Sequence, residues 1–456
     1  MRRQRRYAFL GICVGLGLAV MASLRADGSD LRVLESVRRR DQKALDVLLR
    51  AKADVNAAEA DGATALSWAV HLGQRAMADA LLRAGAKVNV ADSYGETPLT
   101  LACANGDGAL IERLLAADAK PDIARWNGET ALMLAAGAGS LDGVNALLRH
   151  GVDANGAEPR QHQTALMWAA AEGHSDVIGG LVKAGAKVDA LSSGGFTALL
   201  FAVVKGDAPS IKVLLGAGAD PNYTLPTGNT PLMVAVSHQN TAAALALLEG
   251  GANATVRDGR TGNTPLHIAA QVGDVTVMKA LLERKADPNA RTSRTVAAPG
   301  RGGGGGFRGG ASGEQTPLMM AAAGDRADAM RVLVAAGADP SLRTQDGKNL
   351  LMVAAGGAKI DTVKYAYELD PHVDVVADGK STIMHAAVGL GGNRSQPEVC
   401  EIVQFLADHG AALDELDAGG RTPIVRADVI PVDQAINLIT KLLADRGLKP
   451  KVPGKH

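Results

Sequence analysis

One seven-residue phrase recurs along this chain of 456 residues, and its spacing constrains the fold more than any other feature. Thr164-Ala165-Leu166-Met167-Trp168-Ala169-Ala170 is one of eleven near copies. Thr-Ala-Leu opens at Thr64, Thr130, Thr164 and Thr197, and Thr-Pro-Leu at Thr97, Thr230, Thr264 and Thr316. Looser copies begin at Asn349, Thr382 and Thr422. The first seven lie 33, 33, 34, 33, 33 and 34 residues apart, a period that marks stacked supersecondary units. Length alone would suggest about three domains. A stack instead grows by adding neighbours and closes no new core, so the period overrides that count.

Thr130 to Asn155 shows the physics of one unit. The Thr130 hydroxyl is placed to cap a short helix. Leu132, Ala135 and Ala136 follow at helical spacing, and Gly139 stands where that helix must stop. Val144, Leu147 and Leu148 make the apolar stripe of a second helix, ended by Gly151. Asp153, Asn155 and Gly128 are turn formers of the linking segment. Neither helix is long enough to stand alone, so burial between neighbours must hold both. Counting back 33 from Thr64 reaches Leu31, which opens a first unit without the threonine. Arg38, Arg39, Arg40, Asp41 and Lys43 give it the polar face of a terminal cap.

The pattern Gly-x-Thr-Pro/Ala-Leu-x-x-Ala, then Leu-Leu-x-x-Gly-Ala-x-x-Asn, runs from about Leu31 to Leu443 and resembles the ankyrin repeat family. The resemblance implies a mainly α ankyrin-repeat solenoid of about 12 helix-turn-helix units, with β-turn fingers projecting at right angles. It also implies a non-enzymatic protein–protein interaction scaffold that uses a concave groove and finger tips. The family's usual histidine is complete only at His267, with His385 at the same offset in a looser copy. Met133, Met167, Met233, Met319 and Met352 hold that place elsewhere. There the threonine–histidine hydrogen bond should be missing, with methionine packing instead.

The N-terminus reads as an export signal. Basic residues 1–6 precede an apolar run from Tyr7 to Ala22, and small residues follow at Ala22, Ser23 and Ala26. The run is short for a spanning helix; an uncleaved membrane anchor is the alternative, and Cys13 sits too early for lipid attachment. With this leader the chain resembles exported bacterial ankyrin repeat proteins, periplasmic or secreted. The expected organisation is a signal peptide at 1–26, an N-terminal capping repeat at 27–63 and regular repeats at 64–290. A Gly/Arg-rich flexible insertion at 291–315 follows, then less regular repeats at 316–421 with a helix–helix loop insertion at 388–397. A C-terminal capping repeat and tail fill 422–456.

The insertion accounts for the 52-residue step from Thr264 to Thr316. It reads as an arginine–glycine segment for RNA or another polyanion, or as a tolerated loop, since loop length costs little. Nucleic acid is disfavoured for an exported chain. Lys+Arg and Asp+Glu both number 48, and removing the leader's five arginines leaves 43 basic residues, so net charge argues for neither nucleic acid nor membrane. The ten histidines form no His-x-x-x-His pair and the three cysteines no Cys-x-x-Cys pair, so no metal site or cofactor is expected. No nucleophile elbow or phosphate loop appears. Cys103 reads as a small buried hydrophobe and Cys400 as more exposed. No catalytic residue is assigned and a monomer is expected.

In ankyrin-like units the residues just before the threonine lie on the finger, and those seven and eight after it line the groove. These offsets select Tyr94, Glu96, Trp126, Glu129, Arg160 and Phe196 on fingers, and His71, Asn105, Glu172, Lys205 and His238 in the groove. Tyr94, Trp126, Arg160 and Phe196 read as a protein-binding stripe, since aromatics and arginine dominate interface energy. The alternative is that Trp126 and Phe196 staple neighbouring fingers. The leader generates the first test. N-terminal sequencing of native protein should place the mature start between Ser23 and Asp27; a chain that still begins at Met1, in the cytosol, excludes export.

Overall fold

The structure is a computed structural model describing residues 30–294, 313–389, 394–428 and 433–449. The signal segment 1–26, residues 295–312 of the insertion, residues 390–393 and the tail 450–456 lie outside the described residues. Among the described residues the chain forms 24 α-helices in 12 pairs and no strand longer than an isolated bridge. They fall into two compact units, one ending at Asp153 with four pairs, the other starting at Ala154 with eight. Each is a helical-repeat solenoid.

The opening residue sets each pair. Thr130 is extended (φ −88°, ψ 159°), and its side-chain oxygen accepts the N–H of Met133 at 3.3 Å, ahead of the helix Ala131–Gly137. Thr164, Thr197, Thr230 and Thr316 do the same. Asn349 replaces threonine with no loss of this bond, since its Oδ1 accepts Met352 N–H at 2.9 Å. Leu31 caps with no side-chain bond, which fits a unit read from register alone. The second helix begins ten residues after the first in unit after unit, as Leu141–Arg149 follows Ala131–Gly137. Leu132, Ala135, Ala136, Val144 and Leu147 are buried as the pattern requires, while Leu148 is half-buried. Each fully buried leucine or valine contributes roughly 1.5–3 kcal/mol.

Five of the methionines in the family's histidine position are buried at 2 % exposure or less, so they fill the space as expected. His267 and His385 keep the polar arrangement. Nδ1 of His267 accepts the Thr264 N–H at 3.2 Å, which leaves Nε2–H to donate to the Gln315 carbonyl at 3.1 Å. His385 repeats this with Thr382 (3.3 Å) and Arg421 (3.0 Å). Each histidine thus pins the start of the next unit, and in both cases that unit follows an irregular step.

The fingers are short hairpins. Asp92 N–H bonds Glu96 O at 3.0 Å, Arg125 N–H bonds Glu129 O at 2.9 Å, and Thr344 N–H bonds Lys348 O at 3.0 Å. Many neighbouring fingers are joined by a backbone hydrogen bond, the rungs of a ladder. Ser93 N–H bonds Asp61 O in the first unit. In the second, Ser193 bonds Gln161, Ser293 bonds Thr261, Gln345 bonds Gly313, and Asp378 bonds Asp346, at 2.7–2.8 Å throughout. Gly262 shows how close the fingers come. Its φ is +69°, and a Cβ there would lie 2.6 Å from Ser293 N.

The ladder locates the insertion. Thr292 N–H bonds Gln315 O at 2.9 Å, as in an ordinary finger, while Ser293 and Gly313 make their ladder bonds to the fingers before and after. The 19 extra residues therefore fall between Ser293 and Gly313, at a finger tip. The other long step needs a correction. The helix Gln396–Asp408 starts three residues late and is four residues longer than its 9-residue counterparts. Only three of the seven extra residues lengthen the loop at 388–397. The other four add about one helical turn, which preserves the facing of the buried side. Ser395 and Glu398 form the capping box that starts this helix, with Pro397 in its first turn. Arg394 anchors the loop by donating to Ala355 O (2.7 Å), Gly356 O (3.3 Å) and Ala387 O (3.2 Å).

Two tests follow. Removing residues 294–312 leaves every ladder bond able to form, so the melting midpoint should move by only a few degrees, about 1 kcal/mol or less. A collapse in stability would show that the segment is part of the fold. The second concerns His267, whose burial lowers its pKa from 6.5 to about 4. Between those values the unfolded chain binds a proton that the folded chain does not, so stability rises with pH. The contribution is complete above about pH 6.5 and is lost as pH falls toward 4, a change of roughly 3 kcal/mol. His267→Met should flatten urea-unfolding stability over this window; an unchanged pH slope would refute the assignment.

Candidate functional site

In the first unit, Tyr94 and Trp126 sit on neighbouring fingers at 63 % and 73 % exposure. The backbone beneath them is fixed. Oδ1 of Asp92 accepts the N–H groups of Tyr94 and Glu96, each at 2.8 Å. Gly95 (φ +74°) lies so near the next finger that a Cβ would meet Trp126 N at 3.0 Å. Trp126 enters no ring–ring contact among the described residues. Its side chain is largely exposed.

Glu96 and Glu129 have another task than the sequence suggests. Arg125, with a side chain only 18 % exposed, pairs with Glu96 at 2.7 Å and Glu129 at 3.0 Å. The second oxygen of Glu96 accepts from Thr100 Oγ1 at 2.8 Å. This triad ties one finger to the next and sets the platform under Tyr94 and Trp126. Asn105 is exposed at its helix end, yet its amide donates to the carbonyls of Val70 (3.0 Å) and His71 (3.3 Å), capping the helix Ala65–His71. His71 lies edge-on to Trp68 with ring centres 5.7 Å apart.

In the second unit, Arg160 is exposed on its finger. Phe196 corrects the expectation of a solvent-facing aromatic. It is half-buried and packs on Phe201 of its own helix, with centroids 5.8 Å apart. Tyr223 Oη donates to Gly195 O at 3.1 Å beside it, so this finger is the stapled one. Along the groove, Glu172 and Lys205 pair at 3.3 Å, and exposed His238 bonds its own helix at Val234 O, 2.9 Å away. Tyr94 and Trp126 thus form one local group, Arg160 and Phe196 belong to the other unit, and the groove residues bond largely to one another or to backbone.

The fingers of the two 34-residue steps carry a carboxylate that folds into the tip. Glu158 accepts the N–H groups of Arg160 (2.7 Å), Gln161 (2.7 Å) and Gln163 (3.1 Å). Asp258 does the same for Arg260 (2.8 Å), Thr261 (2.6 Å) and Asn263 (3.0 Å). Burial opposes ionisation of both, but these donors prevail and hold each pKa below the usual carboxylate range. They accommodate the extra residue and are not free to act on a ligand. The signal for this was in the sequence, as the thirty-fourth residue itself.

No cluster of His, Cys, Asp or Glu suited to a metal occurs among the described residues. Cys103 is fully buried, and burial pushes its thiol pKa up; half-buried Cys400 is shifted the same way. A cavity of about 220 Å³ lies by Arg257, Thr255, Thr264, Asp287 and three alanines, small beside the usual 300–1,000 Å³ of ligand pockets.

Capped helix pairs in fixed register, with laddered hairpin fingers and side chains displayed on them, define a repeat protein of the helix–turn–helix–finger type. The profile described as ankyrin repeats (3 copies) matches residues 34–125, 99–192, 193–292 and 318–402. The chain belongs to the ankyrin repeat family. No curated protein matches it. Among the described residues, no helix is long and apolar enough to cross a membrane.

Proposed function

We propose that this ankyrin repeat protein is a non-enzymatic scaffold that grips a protein partner through the finger edge of its first unit, with Tyr94 and Trp126 as anchors. The observation that carries this reading is the pair of large aromatic side chains standing out from adjacent fingers joined by the Arg125–Glu96 ion pair. Only 3 % of the chain is aromatic, and among the described residues most of the remaining rings are packed. Burying such rings against a partner is the usual source of hot-spot energy. The Asp92 bonds and the Arg125 ion pairs hold the anchors in place before binding, which lowers the entropy lost on association. Within the same unit, the groove residue Asn105 supplies a polar flank. The leader supports export, so the partner would be met outside the cytoplasm.

A photoreactive benzoylphenylalanine at position 126, in protein expressed in its native compartment, should cross-link one predominant protein. Against that protein, Trp126→Ala should weaken binding by about 2 kcal/mol or more, with thermal unfolding nearly unchanged because the ring is exposed. Full affinity combined with a lowered melting point would identify Trp126 as a staple and refute the anchor role.

A further inference from the structure

A second recognition surface lies in the unit that begins at Ala154. In most fingers of this unit the residue whose N–H closes the hairpin points inward: Ser192, Thr292, Thr344 and Ala377 are buried, and Asp258 is half-buried. The residue just before it points outward, by the alternation of an extended chain. In three successive fingers that outward residue is arginine: Arg257, Arg291 and Arg343. Leu191 and Val376 hold the same place in other fingers, exposed by 50 % and 59 %. Val376 belongs to the finger directly after Arg343.

The row is ordered and short of acceptors. Arg257 Nη1 donates to Arg291 O at 2.6 Å, and Arg291 Nη2 donates to Arg343 O. Each guanidinium is thereby held over the next finger. Nε of Arg291 and Nη1 of Arg343 have no hydrogen-bond partner among the described residues. Nearby carboxylates do not supply one. Asp258 is taken up by its own loop, and Asp346 pairs with Lys348 at 2.8 Å. Glu314 lies 3.9 Å from Arg291 and 3.8 Å from Arg294. Those two atoms are themselves buried, but Arg257 is exposed and the Arg291 side chain is 39 % exposed, so the row's outer N–H groups and its charge face acceptors from outside.

Spacing selects their form. Packed helices stand about 8–10 Å apart, so ladder-joined fingers repeat at about that distance. A polyproline-II chain advances about 3.1 Å per residue with three residues per turn. Every third side chain then faces the same way, at a repeat of about 9.3 Å. We infer that Arg257, Arg291, Arg343 and Val376 dock an acidic protein segment in this extended conformation, with a carboxylate at every third residue and an apolar residue at the fourth such position. Arginine's planar fork matches carboxylate oxygens in pairs. Single-stranded nucleic acid fits less well, because the described residues of these fingers include no aromatic side chain on which bases could stack. The inference rests on the scaffold reading but uses a surface separate from Tyr94 and Trp126.

The test is fluorescence anisotropy with the full chain and three probes. One is a peptide with Glu at positions 1, 4 and 7, Leu at 10, and Pro and Ala between. Another has the same composition with its three Glu contiguous. The third is oligouridylate RNA. The spaced peptide should bind about tenfold more tightly than the clustered one, and the RNA more weakly than either. Arg257→Gln should weaken the spaced peptide about fivefold. Val376→Asp, at an exposed position, should do so too even if the arginine variant folds poorly. Trp126→Ala should leave this binding unchanged, which separates failure of this surface from failure of the aromatic one. Equal binding of the two peptides, tighter binding of RNA, no binding, or indifference to both substitutions in the row would each overturn the proposal.

Discussion

Stacking is the constraint on which every other feature depends. Helices of seven to nine residues such as Ala131–Gly137 and Leu141–Arg149 are well below the length at which an isolated helix holds in water. They persist because each pair buries one face against its neighbours, leaving Leu132, Val144 and Leu147 at 2 % exposure or less. Burial on both sides also requires that the helix-start N–H groups be satisfied from within the chain. The buried threonine hydroxyl does this in most units, and Asn349 supplies the same acceptor where threonine is absent. Packing and capping are therefore one requirement: a residue that fits the space without offering the oxygen would leave a buried donor unpaired.

Irregularity is tolerated where stacking is not interrupted. The 19-residue insertion leaves from a finger tip, between a ladder donor and a ladder acceptor, and the hairpin beneath it remains closed by Thr292 and Gln315. The single extra residues of the 34-residue steps also sit at finger tips, with Glu158 or Asp258 folding in to satisfy the amides they expose. The seven-residue excess near the C-terminal end lies instead between and within the two helices of one repeat. It is absorbed as three residues of turn and about one turn of helix, and Arg394 satisfies helix-end carbonyls beside it. His267 and His385 stand in the units before the two longest steps. A donor that reaches the next unit's backbone is worth most there, where chain continuity does least to fix the register.

Most of the fold was legible because it repeats. The period placed all 12 helix pairs, Leu31 opened the first unit without its threonine, and the methionines were read as packing residues. The candidate site was less so. Offsets from the threonine found Tyr94, Trp126 and Arg160, since exposure of a finger residue follows from register. The same offsets could not tell that Phe196 turns back onto Phe201, because its direction depends on a side chain five residues on. Nor could they show Glu96 and Glu129 bound to Arg125, a bond between two units' fingers. The row Arg257, Arg291 and Arg343 escaped notice because the 34-residue step and the insertion shift its numbering. It emerges once fingers are aligned by the hydrogen bond that closes them.

That row also shows how whole-chain charge misleads in a repeat protein. Equal totals of 48 acidic and 48 basic residues suggest a surface without electrostatic preference. The fingers say otherwise. Those of the first unit carry Glu59, Asp61, Asp92, Glu96 and Glu129 against Arg125 alone, while three successive fingers of the second present arginine outward. In a globular domain such differences would be blurred by the mixing of distant segments. In a stack, one offset returns to the same face in every unit, so substitutions at that offset write a line of like chemistry along an edge without touching the core. Burial fixes the inner columns of residues and leaves the outer ones free to vary. The selectivity of this protein must therefore be sought in the outer columns, read finger by finger.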